Sequence, residues 1–157
     1  MYGQELMKFN PKQSCLIPFE NSNSKSTMRR VNECGVILFN QDMKDLLIVF
    51  QNKSKKWGFP KGHMTRMELY NKEYLKCAKR ELYEETGIDL RIFNHTKYGS
   101  VILGNKLFFV IEIKQNNIQA NPLDEFEIEK IQWIKRTDLN MFVKSNNCNA
   151  TLNKLFT

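Results

Sequence analysis

Residues 70–88 constrain this chain more than any other stretch. Leu75, Ala78 and Leu82 recur at the spacing of one helix face, and Thr86-Gly87 supplies a glycine stop. The pattern predicts one long helix from Tyr70 to Glu85. Glu81, Glu84 and Glu85 are three and four residues apart, so their carboxylates share one stripe in the last turn. Like charges there repel each other and oppose the helix dipole. Two arrangements relieve that cost: a solvated acidic face paired with Lys76 and Lys79, or a divalent cation shared by the carboxylates.

The segments around this helix read as strands. Arg30–Phe39 and Asp45–Gln51 are rich in Val, Ile, Leu and Phe. Tyr98–Leu103 and Lys106–Ile113 flank Gly104-Asn105, a two-residue hairpin signal, and Glu127–Ile134 alternates in the manner of a strand. Thr137 or Asp138 is placed to cap a short helix through Phe142, and residues 149–157 suit a last helical turn or two. The sum is a mixed domain of five to seven strands and two or three helices. Trp57-Gly58-Phe59-Pro60-Lys61-Gly62-His63 leads into the long helix. Gly62 lets the backbone approach a ligand closely, and Lys61 is a point charge suited to a phosphate.

Composition narrows the function. At 157 residues, with hydrophobic residues at 41%, the chain can bury a core without staples. Residues 1–28 read as a polar extension and 29–157 as the domain. The longest apolar runs fall far short of a membrane span, and no apolar secretory segment opens the chain, so a cytoplasmic protein is expected, with a nuclear or virion one as the alternatives. Cys15, Cys34, Cys77 and Cys148 are scattered, and His63 and His95 stand at no zinc-ligand spacing, which predicts free thiols. The net charge of +7 is uneven: residues 51–80 carry nine basic side chains against Glu68 and Glu73, whereas residues 81–90 carry four acids and no base. A basic block attracts phosphates and an acidic knot attracts divalent metal.

Gly62, Glu68 and the run Arg80-Glu81-Leu82-x-Glu84-Glu85-x-Gly87-Ile88 together resemble the Nudix box. The family pattern places seven residues between its first Glu and the Arg. Here 11 separate Glu68 from Arg80, which implies a four-residue insertion before the helix. The resemblance implies a Nudix-like α/β/α sandwich of the α/β class, with a mixed sheet and the catalytic helix following the Gly62 loop. It implies an enzyme that hydrolyses a pyrophosphate link with Mg2+ or Mn2+. On this basis Glu81, Glu84, Glu85 and the Gly62 carbonyl are candidate metal ligands, Arg80 orients a box carboxylate, and Glu84 or Glu127 is the candidate base.

The string Trp57–His63, with the late Glu127-Ile128 and Trp133, is most similar to the mRNA-decapping branch of that family, whose substrate is a capped RNA. Arg30, Lys53, Lys55, Lys56 and Lys61 are then candidate substrate-binding residues, and the basic 53–66 segment a candidate RNA track. Trp57, Tyr98 and Phe108 are candidate base-stacking aromatics, although each is better suited to the core, where large aromatics are mostly found. Diadenosine polyphosphate and diphosphoinositol polyphosphate hydrolases carry similar strings, and a non-catalytic nucleotide- or RNA-binding module is a third expectation.

Overall fold

The computed structural model describes residues 7–10, 15–18 and 31–156. Two short strands, β1 (Met7–Asn10) and β2 (Cys15–Pro18), form an antiparallel ribbon apart from the main sheet. The main sheet has seven strands. They are β3 (Glu33–Phe39), β4 (Asp45–Gln51), β5 (Lys56–Gly58), β6 (Lys61–His63), β7 (His95–Leu103), β8 (Lys106–Ile113) and β9 (Ile128–Lys135). Among the described residues four α-helices accompany them: α1 (Arg66–Asn71), α2 (Tyr74–Thr86), α3 (Leu139–Ser145) and α4 (Ala150–Phe156).

The centre of the sheet is β3, every residue of which is buried. Such a strand needs cover on both faces. Cys34, Val36 and Leu38 join Cys77, Ala78 and Leu82 of α2 in one core. Ile37 and Phe39 point the other way, into a core with Leu139, Val143, Leu152 and Phe156 of α3 and α4. The result is a sandwich with helices on both faces, as the family resemblance implies. Burying a side chain such as Leu82 stabilises this packing by about 1.5–3 kcal/mol.

The strand order explains where the site lies. β3 runs parallel to β8 along its whole length, and β8 returns antiparallel to β7 through the hairpin turn at Gly104-Asn105. On the other edge β3 meets β4 only at Phe39–Leu46. Beyond that pair β4 departs to bond with β5 and β9. The edge of β3 thus left free takes up β6 through Glu33–His63, Cys34–Gly62 and Gly35–Lys61. This wedge sets Gly62 beneath α2.

The helix expected from Tyr70 to Glu85 is instead two helices. Lys72 adopts a left-handed conformation with φ 55°, and its N–H bonds back to the carbonyls of Glu68 and Leu69. A lysine carries no spacing signal for that turn, so the apolar pattern read through it. β3 starts three residues later than Arg30, and Glu127 stands just outside β9. Arg30 lies outside the described residues. No helix among the described residues is long and apolar enough to cross a membrane.

Candidate active site

The site begins at a capping box. Thr65 Oγ1 accepts from the Glu68 N–H at 3.1 Å, and Glu68 Oε1 accepts from the Thr65 N–H at 2.8 Å. Both orphan donors of α1 are satisfied reciprocally, and the buried Glu68 carboxylate is held in one pose. Arg80 then donates to it twice, Nε to Oε2 at 3.0 Å and Nη2 to Oε1 at 2.8 Å. The remaining guanidinium hydrogens reach Glu81 at 2.8 Å, both oxygens of Glu84 at 3.2 Å and the His63 carbonyl at 3.0 Å. Hydrogen bonds from Arg80 hold the Glu68 carboxyl down at about 2. With 11 residues between them, α1 and the left-handed turn at Lys72 still bring Glu68 to the arginine.

Two further carboxylates, Glu85 and Glu127, gather with Glu81 behind this hub. A Cβ at Gly62 would collide with the Glu81 carboxylate, so glycine is what admits Glu81 to the β6 backbone. Glu85 is fully buried, and its Oε1 accepts from the Lys61 N–H at 3.0 Å. Its Oε2 is buried with no N–H donor, and its carboxyl lies against that of Glu127. Burial pushes the Glu81 carboxyl up to about 7 and the Glu85 carboxyl up to about 9. Glu127 faces both from the β8–β9 connection, its carboxyl raised by partial burial and by Asp124 beside it.

Glu127 is brought there by bonds to the end of α2. The Glu84 carbonyl accepts from the N–H groups of Leu123 and Asp124, each at 3.1 Å, and the Thr86 carbonyl accepts from Asn121 at 2.8 Å. Asp124 Oδ1 accepts from the Glu127 N–H at 3.1 Å, and the Asn52 N–H donates to the Glu127 carbonyl at 2.8 Å. The connection thus hangs from the C-terminal carbonyls that any helix leaves unsatisfied.

These groups fit a hard divalent cation in chemistry. The donors are carboxylate oxygens, and one buried oxygen lacks a donor. No ready-made cage of three His, Cys, Asp or Glu side chains exists among the described residues. Glu81 and Glu84 are turned to Arg80 instead.

The basic residues fall into separate places. Lys53 is exposed and lines a cleft of about 710 Å³ with Gln51, Ser54, Asp124, Phe126 and Glu127. Lys56 is exposed on β5. Lys55 pairs with Glu129 at 3.0 Å, and the Lys61 ammonium pairs with the buried Glu33 at 3.1 Å. Of the candidate stacking residues, Trp57 and Phe108 are buried in the core, and Tyr98 donates its hydroxyl to Glu112 at 2.6 Å. Sequence reasoning passed over Thr65 and Asp124. The Thr65-x-x-Glu68 spacing carries a capping-box signal, whereas nothing local marks Asp124.

The fold and this carboxylate site define the class. A family model described as the NUDIX domain matches residues 29–154, and the chain belongs to that family. It is 32% identical over 110 residues to the m7GpppN-mRNA hydrolase dcap-2 of Caenorhabditis elegans, an overlap of 67% of this chain and 14% of that protein. It is 31% identical over 115 residues to the putative hydrolase 111R of Invertebrate iridescent virus 3, covering 71% of this chain and 60% of that protein. The chain therefore spans less than two thirds of either relative. Among solved structures, a C. elegans Ap4A hydrolase binary complex superposes with a TM-score of 0.52 at 18% identity, over 80% of this chain and 92% of that one, which shows the shared fold.

Proposed function

We propose that this chain hydrolyses a pyrophosphate bond at the 5′ end of capped RNA, with Mg2+ or Mn2+ held by Glu81, Glu84 and Glu85 and the Gly62 carbonyl. The observation that carries the chemistry is the buried Glu85 oxygen without a donor, set among Glu81 and Glu127. When bound, a divalent ion neutralises phosphate charge and makes water a better nucleophile. Arg80 holds Glu81 and Glu84 in place through charge-assisted hydrogen bonds. The Lys61 N–H fixes Glu85. Glu127, exposed at the mouth with a raised carboxyl pKa, takes the proton of the attacking water on its carboxylate. Lys53 and Lys56, exposed and without carboxylate partners among the described residues, meet the phosphates of the RNA.

The cap as substrate rests on the relative named as an mRNA hydrolase and on the basic segment beside the site. A cytoplasmic location fits such a substrate. The test is a product assay on cap-labelled RNA with Mg2+ or Mn2+, run beside diadenosine tetraphosphate and a diphosphoinositol polyphosphate, each with Glu84→Gln. Release of methylated GDP that the variant loses supports the reading. Cleavage of a small polyphosphate with inert RNA moves the substrate, and no turnover with either ion makes the domain a binding module.

A further inference from the structure

The β8–β9 connection places a bare aromatic ring beside the base. Phe126 is 93% exposed, the most exposed large hydrophobic side chain among the described residues. Its backbone is held by hydrogen bonds despite that exposure. Asn52 Nδ2 donates to its carbonyl at 3.1 Å, the next residue is tied to Asp124 Oδ1 and to the Asn52 N–H, and Ile128 N–H reaches the Asp124 carbonyl at 3.0 Å. The turn is bonded to the end of β4 on one side and to the end of α2 on the other. An aromatic ring so held contributes nothing to the core and gains from a flat partner.

Phe126 and Glu127 line the same cleft of about 710 Å³, within the volume of small-ligand sites. Its other walls carry Gln51, Lys53, Ser54 and Asp124, and the Ser54 hydroxyl donates to Gln51 Oε1 at 3.0 Å, which leaves the Gln51 amide N–H groups and the Ser54 oxygen to face a ligand. That set suits a base edge and a phosphate at once. Trp57 and Phe108 are buried in the core, so neither can stack a base.

We infer that this cleft is the nucleobase subsite of the substrate, with the base of the nucleoside diphosphate stacked on Phe126 and its edge read by Gln51 and Ser54. The inference rests on the pyrophosphohydrolase reading, and it adds the residue that makes the enzyme prefer a nucleoside. Stacking is tolerant of base identity, because every base has a π-face. A 7-methylated guanine, being cationic, gains further from the ring face.

The test uses Phe126→Ala and Phe126→Trp in the full chain. Calorimetric titration with 7-methyl-GDP and, separately, with inorganic pyrophosphate reads binding. Kinetics on capped RNA and on a diphosphoinositol polyphosphate, which has no base, read turnover. Phe126→Ala weakens 7-methyl-GDP about tenfold or more, the range of one lost stack, and leaves pyrophosphate unchanged. Its KM for the nucleoside substrate rises while kcat stays within about threefold, and Phe126→Trp restores both. Equal binding of 7-methyl-GDP by wild type and Phe126→Ala overturns the subsite even where turnover is intact. A wild type that turns over none of these substrates removes the hydrolase reading, while the titration still decides the subsite. Phe126→Ala should melt with the wild type, since its ring packs against no core.

Discussion

Arg80 and Glu68 face each other across an 11-residue separation as a parallel two-bond pair, at 3.0 and 2.8 Å. Glu68 is nearly fully buried, and the same Glu68 oxygen that takes Arg80 Nη2 also accepts from the Thr65 N–H. One carboxylate therefore joins the start of α1 to the hub of α2. Glu68→Ala leaves the Arg80 charge with fewer partners and strips the capping box. It should cost about 3 kcal/mol, the range for breaking a buried pair, and lower Tm by roughly 6–12 °C in a domain of this size. Thermal denaturation checks this. A Tm unchanged from wild type would show that the pair is dispensable.

Gly62→Ala separates fold from site. The added Cβ would meet the Glu81 carboxylate while the β6 pairing to β3 needs no change. Glu81 must turn away, so Mn2+ affinity should fall by about tenfold or more, the scale on which altered ligand support acts. Titration of Mn2+ monitored by electron paramagnetic resonance reads this directly. Wild-type affinity in the variant would remove Glu81 from the ligand set.

The buried carboxylates set a pH dependence of known sign. Glu81 and Glu85 are raised by burial from an ordinary carboxylate value to about 7 and about 9. The folded state therefore binds more protons than the unfolded one, and their contribution to stability is complete below about pH 4.5 and is lost as pH rises through 7 and 9. Glu68, depressed to about 2, acts oppositely: its contribution is present above about pH 4.5 and lost as pH falls towards 2. In chelator, Tm should decline from pH 6 to pH 9, and Mn2+ should raise it more at pH 9 than at pH 6, because ligation releases the protons. A flat profile, or a Mn2+ effect larger at pH 6, would contradict the burial argument.

The lysines of the basic segment should divide by partner. Lys53→Ala removes an exposed cation on the cleft wall and should weaken RNA binding, lowering the salt-dependence slope by about one. Lys55→Ala removes an exposed pair with Glu129 and should move stability by less than about 1 kcal/mol. Lys61→Ala leaves Glu33 with Lys106 at 3.5 Å and the Asn105 amide at 3.2 Å, and should act first on stability, by about 1.5–3 kcal/mol, the range of a lost charged hydrogen bond. Filter binding at several salt concentrations, with melting curves, tells these apart.

The carboxylate stripe was legible in the chain because a helix is a local object. Residues one turn apart share a face whatever surrounds them, so Glu81, Glu84 and Glu85 could be grouped by counting. The hairpin at Gly104-Asn105 and the buried strand β3 were legible for the same reason. The break at Lys72 was not, because a left-handed lysine leaves no trace in the apolar spacing.

What the chain could not announce is which distant groups meet. The divergence of β4 from β3 opens the edge that β6 fills, and this alone brings the Lys61 N–H to Glu85. The carbonyls at the end of α2 draw in the 121–124 backbone and swing Glu127 to the same place. Burial likewise sorted the aromatics, sending Trp57 and Phe108 inward and leaving Phe126 outside. Local spacing determined the helix and its carboxylates. The long-range pairing of backbone donors and acceptors decided their partners and their charge, because burial depends on the whole packing.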